Sequence, residues 1–106
     1  MVSLMKMTST GNIEWEKTFG SGFGSSVRQT ADGGYILTGT TYSPANSIIL
    51  VKTNAAGDSQ WTRTYSKFSN NNGASVKQTS DGGYIVTGKS NGSIILIRTD
   101  SFGNWD

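Results

Sequence analysis

Short apolar segments alternate with polar, glycine-rich segments along the chain, and the apolar segments have the pattern of β-strands. One set of four predicts strand a at Ser26 to Thr30, strand b at Tyr35 to Thr40, strand c at Ser47 to Thr53 and strand d at Ser59 to Tyr65. β-Branched and aromatic residues, which favour pleated sheets, are frequent in these segments. Between strands a and b, Asp32-Gly33-Gly34 predicts a hairpin turn, because glycine adopts the positive φ angle that such turns need.

The same pattern predicts how strands c and d are buried. Strand c contains four consecutive apolar residues, Ile48 to Val51, which indicates burial on both faces of the sheet. In an earlier copy of strand d, Ile13 to Phe19, Trp15 and Phe19 share one face opposite the two glutamates. Strand d is therefore expected to be a half-exposed outer strand, joined to strand c through a tight turn at Gly57.

The chain repeats itself with a period of about 46 residues. Ser93 to Thr99 repeats Ser47 to Thr53 at an offset of 46, whereas Val76 to Gly88 repeats Val27 to Gly39 at an offset of 49. The extra residues enter at 68–73, in a polar, asparagine-rich stretch that is typical of loops. The repeat, and not any single motif, therefore defines the organisation of the chain.

We interpret residues 1–106 as a single module of about 2.3 repeats. It contains a partial repeat with strands c and d at 1–19, repeat 1 with strands a to d at 20–65, and repeat 2 with strands a to c at 66–106. Four antiparallel strands in about 46 residues match one β-propeller blade. The expected fold class is all-β, with about two propeller blades per chain, and a β-trefoil is the alternative.

An incomplete propeller predicts self-association. A propeller closes with about four to eight blades, so we expect a homo-oligomer that completes the ring. The last copy of strand c, Ser93 to Thr99, lacks its own strand d, and Ile13 to Phe19 of a neighbouring subunit could complete it by strand exchange. Val2 to Met7, a third copy of strand c, is then left over and is expected to be disordered or rearranged.

Composition excludes most catalytic and several binding chemistries. Without His or Cys the chain has no imidazole base, no thiolate nucleophile and no Cys/His zinc site. Nine Lys and Arg against seven Asp and Glu give a net charge of +2, carried by scattered residues, so we expect no nucleic-acid partner. Because no apolar run approaches the roughly 20 residues of a membrane helix, we expect no membrane insertion. Residues 1–7 also lack the apolar stretch of a signal peptide.

Several phased motifs resemble a known repeat. Lys17-Thr18-Phe19-Gly20, Asp32-Gly33-Gly34-Tyr35-Ile36 and Val51-Lys52-Thr53, with Trp15 and Trp61, resemble the "WxKTxGG…QTxDGGYIxxG…KTDxxGxxxW" repeat. That repeat belongs to bacterial and archaeal surface or secreted proteins. The resemblance implies β-propeller blades and a secreted or cell-surface location.

A second likeness concerns cofactors. The spacing from Gly57 to Trp61 is similar to that in the tryptophan-docking blades of quinoprotein propellers. Asn54 and Ala56 depart from the motif of those blades, so quinone chemistry is not supported. We expect no cofactor and no metal.

Two kinds of repeated side chain are candidates for function. Asp32 and Asp81 could act as a carboxylate pair in acid–base catalysis, but their phase predicts that both are turn residues of equivalent hairpins. Trp15 and Trp61 could stack on sugars or bases, but their fixed phase on strand d predicts packing between blades.

Repeated cations are a further candidate. Lys52 and Arg98 on strand c, with Lys17 and Arg63 on strand d, could surround an anionic ligand. The interpretation that we favour is that their long stems cover outer or edge strands and prevent aggregation.

Three loop candidates complete the set. Gly20 to Ser26 superficially resembles a phosphate-binding loop but leads into a strand, with no helix dipole. Asn70-Asn71-Asn72-Gly73 is a candidate ligand loop, and Asn91-Gly92-Ser93 fits a glycosylation sequon that a tight turn also explains.

These patterns favour a non-enzymatic binding or scaffold module, with carbohydrate or another surface protein as ligand. No catalytic, metal-binding or cofactor-binding residue is assigned. The alternative is a hydrolase-like enzyme whose axial site forms on oligomerisation and uses Asp32 and Asp81.

Overall fold

The computed structural model describes residues 1–42, 47–65, 71–90 and 93–104, and of residues 71–74 and 90 it describes the backbone alone. Over these residues the chain is all-β. The strands are β1 (Ser3–Met7), β2 (Ile13–Thr18), β3 (Phe23–Gln29), β4 (Tyr35–Thr41), β5 (Ser47–Thr53), β6 (Ser59–Tyr65), β7 (Asn71–Gln78), β8 (Tyr84–Ser90) and β9 (Ser93–Thr99). In this part of the chain no helix is long and apolar enough to span a bilayer.

The strands form three antiparallel sheets. Sheet 1 contains β1 and β2, sheet 2 has the order β3-β4-β5-β6, and sheet 3 has the order β7-β8-β9. Neighbours in each sheet are consecutive in the chain, so every connection within a sheet is a hairpin. Strands a to d of repeat 1 correspond to β3 to β6, which confirms the predicted strand order.

The hairpin turn between β3 and β4 has the backbone that the glycines predict. The Thr30 amide donates to the Gly34 carbonyl at 2.9 Å, and the Gly33 amide donates to the Thr30 carbonyl at 3.0 Å. Gly33 has a φ of +85°. The turn from β7 to β8 repeats these features at Thr79 and Gly82. Each turn therefore returns the chain directly into the neighbouring strand.

The middle strands of sheet 2, β4 and β5, lie between two cores because both of their faces are covered. All seven residues of β5 are buried, as the apolar run predicted. Ile48 and Leu50 belong to a cluster with the apolar residues of sheet 3, whereas Ile49 and Val51 belong to a second cluster with Val2. Alternate side chains of one strand thus contribute to two separate cores.

Three expectations about local structure are wrong. Val2 to Met7 is neither disordered nor displaced, since β1 pairs with β2 of the same chain. Asn71-Asn72-Gly73 is not a loop, because these residues begin β7 and pair with β8, while Asn70 lies outside the described residues. Strand a begins earlier than expected, at Phe23, where a bulge at Gly24 to Ser26 lets it pair with β4. Residues 91 and 92 of the sequon lie outside the described residues.

Candidate functional site

An aromatic contact joins each sheet to the next. Trp15 on β2 meets Tyr35 on β4 edge to face, with ring centroids 5.9 Å apart and an interplanar angle of 64°. Trp61 on β6 meets Tyr84 on β8 at 5.9 Å and 61°. The two contacts are equivalent positions of successive repeats. Both tryptophans therefore have the packing role that their phase predicted.

Each tryptophan also lies against a glycine of the following repeat. A Cβ atom on Gly57 would lie 2.6 Å from the Trp15 ring, and one on Gly103 would lie 2.7 Å from the Trp61 ring. Both glycines have positive φ angles, +84° and +79°. Gly57 is thus required by its backbone conformation and by the close approach of the neighbouring sheet.

A cleft of about 800 Å³ opens between sheets 2 and 3, beside the contact between Trp61 and Tyr84. It is lined, among others, by Asp32, Lys52, Gln60, Trp61, Arg63 and Phe102. The cleft is large enough for a small-molecule or sugar ligand. It brings together four residues that the sequence singled out, and Asp81 and Arg98 are not among its lining residues.

Two hydrogen bonds tie the sheets together around the cleft. The Ala31 amide donates to Gln78 Oε1 at 2.9 Å, which links the β3–β4 turn to sheet 3. The Tyr65 hydroxyl donates to the Gly103 carbonyl at 2.6 Å. Burial raises the pKa of Tyr65 to about 12, so it remains a donor at neutral pH.

Lys52 is a buried cation with a full set of partners. Its side chain is 5% exposed, and its Nζ lies 3.1 Å from Asp32 Oδ2. The ammonium also donates to the Thr53 carbonyl at 2.7 Å and to Gln60 Oε1 at 3.1 Å. The interpretation of Lys52 as an exposed stem is therefore wrong, and Asp32 offsets its charge.

Asp32 is held in place by its own turn. Its carboxylate accepts hydrogen bonds from the Thr30 hydroxyl and, at 3.0 Å, from the Gly34 amide. These two bonds and the bond from Lys52 lower the pKa of Asp32 to about 2. A carboxyl group with this pKa is ionised at neutral pH and does not serve as a general acid.

Asp81 occupies the equivalent place in the next repeat. The Thr79 hydroxyl and the Gly83 amide donate to it and lower its pKa, and Arg98 adds a contact at 3.4 Å. Arg98 is exposed, unlike Lys52, and so fits the interpretation of a solvated stem. Both aspartates are turn residues, as their phase predicted.

The cations of strand d differ between the two interfaces. Between sheets 1 and 2, Lys17 Nζ pairs with Asp58 at 3.2 Å. At the equivalent positions between sheets 2 and 3 the residues are Arg63 and Asn104, so this carboxylate is absent. The Arg63 guanidinium lies over the Trp61 ring, 5.5 Å from its centroid, and forms no ion pair with a described residue. The pKa of Asp100 is lowered by the hydrogen bond from the Asn104 amide and, to a smaller extent, by the charge of Arg63.

Gly20 to Ser26 shows no phosphate-binding geometry. Gly20 and Gly22 have positive φ angles, and β3 begins at Phe23. At Gly22 a Cβ atom would overlap the Thr40 carbonyl oxygen. Glycine is therefore needed at this position because the backbone lies so close to β4. Within the described ranges, no three His, Cys, Asp or Glu residues form a metal-binding group.

The sequence did not single out Gln60, Gln78 or Phe102 as site residues. A comparison of the turns would have revealed Phe102, because the earlier copies of its position are Ala56 and Thr10. No protein-family model matches the chain, and no curated protein matches it either. Function must therefore be inferred from contacts and charges.

Proposed function

We propose that this chain is a non-enzymatic β-propeller repeat module that acts as a binding or scaffold unit, with its three sheets as successive blades. The observation that carries the proposal is the repeated contact of Trp15 with Tyr35 and of Trp61 with Tyr84. Repetition of one contact between successive sheets is what we expect of blades that repeat around a propeller axis. A secreted or cell-surface location, with carbohydrate or a surface protein as ligand, is part of the proposal.

The faces at the two ends of the stack support self-association. Ile94 and Leu96 on β9 are 83% and 65% exposed, whereas their equivalents Ile48 and Leu50 on β5 are fully buried against sheet 3. By the same repeat, a further sheet would cover Ile94 and Leu96. At the opposite end sheet 1 exposes Met5, so a second copy of this chain supplies an apolar face for head-to-tail contact.

Light scattering after size exclusion tests this association. At micromolar concentration we expect a closed oligomer, and Leu96→Lys is expected to reduce its mass to that of smaller species. Ala55→Lys adds the same charge at an exposed turn and serves as the matched control. A compact wild-type monomer would contradict the association.

The carboxylates support the non-enzymatic part of the proposal. Catalysis by a pair of carboxyl groups needs one with a raised pKa, and the pKa values of Asp32 and Asp81 are both lowered. We expect no hydrolysis of glycoside substrates by the assembled protein. Turnover that disappears in Asp32→Asn would favour the enzymatic alternative.

A further inference from the structure

We propose that the cleft between sheets 2 and 3 binds a carboxylate-bearing sugar, that is, a uronic acid residue of an oligosaccharide. This inference rests on the proposed function as a binding module and gives that module a ligand class. It follows from three features of the cleft. One cation forms no ion pair with a described residue, one exposed aromatic ring is not required by the fold, and one amide nitrogen has no hydrogen-bond partner among the described residues.

The charge of the cleft selects a ligand with isolated negative charges. Asp32 offsets the charge of Lys52, whereas Arg63 forms no ion pair with a described residue. At the equivalent interface, between sheets 1 and 2, the cation Lys17 forms an ion pair with Asp58. A guanidinium binds a carboxylate through two parallel hydrogen bonds, and its single positive charge matches the single negative charge of that group.

The aromatic feature is Phe102. Its ring is 64% exposed and lines the cleft. The turn itself is held by Asp100 Oδ1, which accepts from the Phe102 and Asn104 amides at 2.9 Å each. In the preceding repeat Asn54 makes the same bonds around an alanine. Since the turn forms without an aromatic residue, the ring is available as an apolar platform for the face of a sugar.

Gln60 supplies hydrogen bonding for hydroxyl groups. Its Oε1 accepts from Lys52 at 3.1 Å, which fixes the amide, and its Nε2 has no partner among the described residues. A fixed amide donor and an aromatic platform in the same cleft match a sugar ring that carries hydroxyl groups. A sugar ring that carries hydroxyl groups and a carboxylate would use the cation, the aromatic ring and the amide together.

Titration calorimetry with trigalacturonic acid tests the inference, and its methyl ester is the matched ligand without charge. Wild type is expected to bind the acid at least about tenfold more tightly than the ester, a ratio typical of one charge-assisted pair. Phe102→Ala is expected to weaken binding of both sugars. Equal affinity for acid and ester, or no binding of either, would overturn the inference.

A double exchange provides a test at constant net charge. Asp100→Asn with Asn104→Asp copies Asn54 and Asp58, so it keeps the turn bonds and gives Arg63 a carboxylate partner. We expect it to abolish the preference for the acid, as Arg63→Gln should.

Lys17→Gln, at the other interface, is the control and is expected to leave binding unchanged. Unchanged acid binding in a folded double variant, or in Arg63→Gln, would refute the role of Arg63.

Light scattering separates the two proposals. An assembled protein that does not bind the acid refutes only the proposed ligand, and a monomer that binds the acid refutes only the proposed assembly.

Discussion

At the scale of single residues, Gly57 shows how one position satisfies two constraints. Its φ of +84° is unfavourable for any residue with a Cβ atom, and the ring of Trp15 occupies the space that this atom would need. Gly11 is its exact equivalent in the first copy of the turn. Gly11 has a φ of +91° but nothing within 4 Å of a Cβ atom. The pair therefore separates backbone strain from the contact between sheets.

We predict that Gly57→Ala destabilises the protein more than Gly11→Ala. Gly11→Ala should cost about 1 kcal/mol, for the backbone conformation alone, and Gly57→Ala about 2–4 kcal/mol, because the Trp15 contact is also disturbed. Urea denaturation followed by circular dichroism measures both. Equal losses would mean that the Trp15 contact adds nothing.

The ion pair of Lys52 with Asp32 predicts a loss of stability in acid. The folded state lowers the pKa of Asp32 from about 3.8 to about 2, so the pair stabilises the fold above pH 4 and is lost as the pH falls towards 2. Asp32→Asn should therefore lower the urea midpoint at pH 7 and have less effect at pH 2. Asp81→Asn is the control, and its effect at pH 7 should be smaller because Arg98 stays solvated. Equal effects of the two variants at pH 7 would contradict the role of burial.

The repeat predicted the positions of these side chains but not their environments. Lys52 and Arg98 occupy equivalent positions, yet only Lys52 is buried, because β5 is covered on both faces. Phe102 was not predicted either, because it breaks the repeat: its signal is the difference from Ala56 and Thr10, and repeated residues do not reveal such a position. Burial and cleft formation depend on which sheets are neighbours, and the local pattern does not contain that information.

At the scale of elements, β5 and β9 show that nearly the same strand can have two environments. Their sequences differ at only two of seven positions, SIILVKT against SIILIRT. Leu50 is fully buried, whereas Leu96 is 65% exposed. The difference lies in the neighbours, because β5 has β6 at its side and sheet 3 on its face.

We predict unequal effects of truncating these two leucines. Leu50→Ala should cost about 2–5 kcal/mol, because it leaves a cavity in the core. Leu96→Ala should cost less than about 0.5 kcal/mol in dilute protein, where the side chain faces solvent. Thermal unfolding at two protein concentrations gives both values. A large loss for Leu96→Ala in dissociated protein would contradict the exposure of β9.

Strand order and hairpin turns could be predicted from the sequence because they depend on local signals. The apolar run of β5 and the Asp32-Gly33-Gly34 turn are examples, and both are confirmed. The start of β7 could not be predicted in this way, because Asn71 and Asn72 have low strand propensity and are in the strand only because they pair with β8. The prediction that Val2 to Met7 is disordered failed because a short turn at Gly11 lets β1 pair with β2, its neighbour in the chain.

At the scale of the whole molecule, sheet 2 connects two cores. Ile48 and Leu50 contribute to the core with sheet 3, and Ile49 and Val51 to the core with sheet 1. Sheet 1 has only two strands and covers one face of sheet 2. Opening of sheet 1 therefore exposes less apolar surface than opening of sheet 2.

Hydrogen exchange should follow this order. We predict the slowest exchange for the amides of β5 and the fastest, among the strands, for β1 and β2, because local opening is governed by the apolar contacts that it breaks. Mass spectrometry of peptides from each strand gives the rates. Protection of β1 equal to that of β5 would indicate a single cooperative unit instead.

The division of each aromatic contact between two repeats has a consequence for how such a chain can grow. Repeat 1 contributes Trp61 to its junction with the following repeat, and it contributes Tyr35 and Gly57 to its junction with the preceding repeat. A tandem duplication of the DNA for one unit thus copies both halves of a junction at once. The new copy meets complementary neighbours on each side without further substitution, so the number of units can change in a single recombination event.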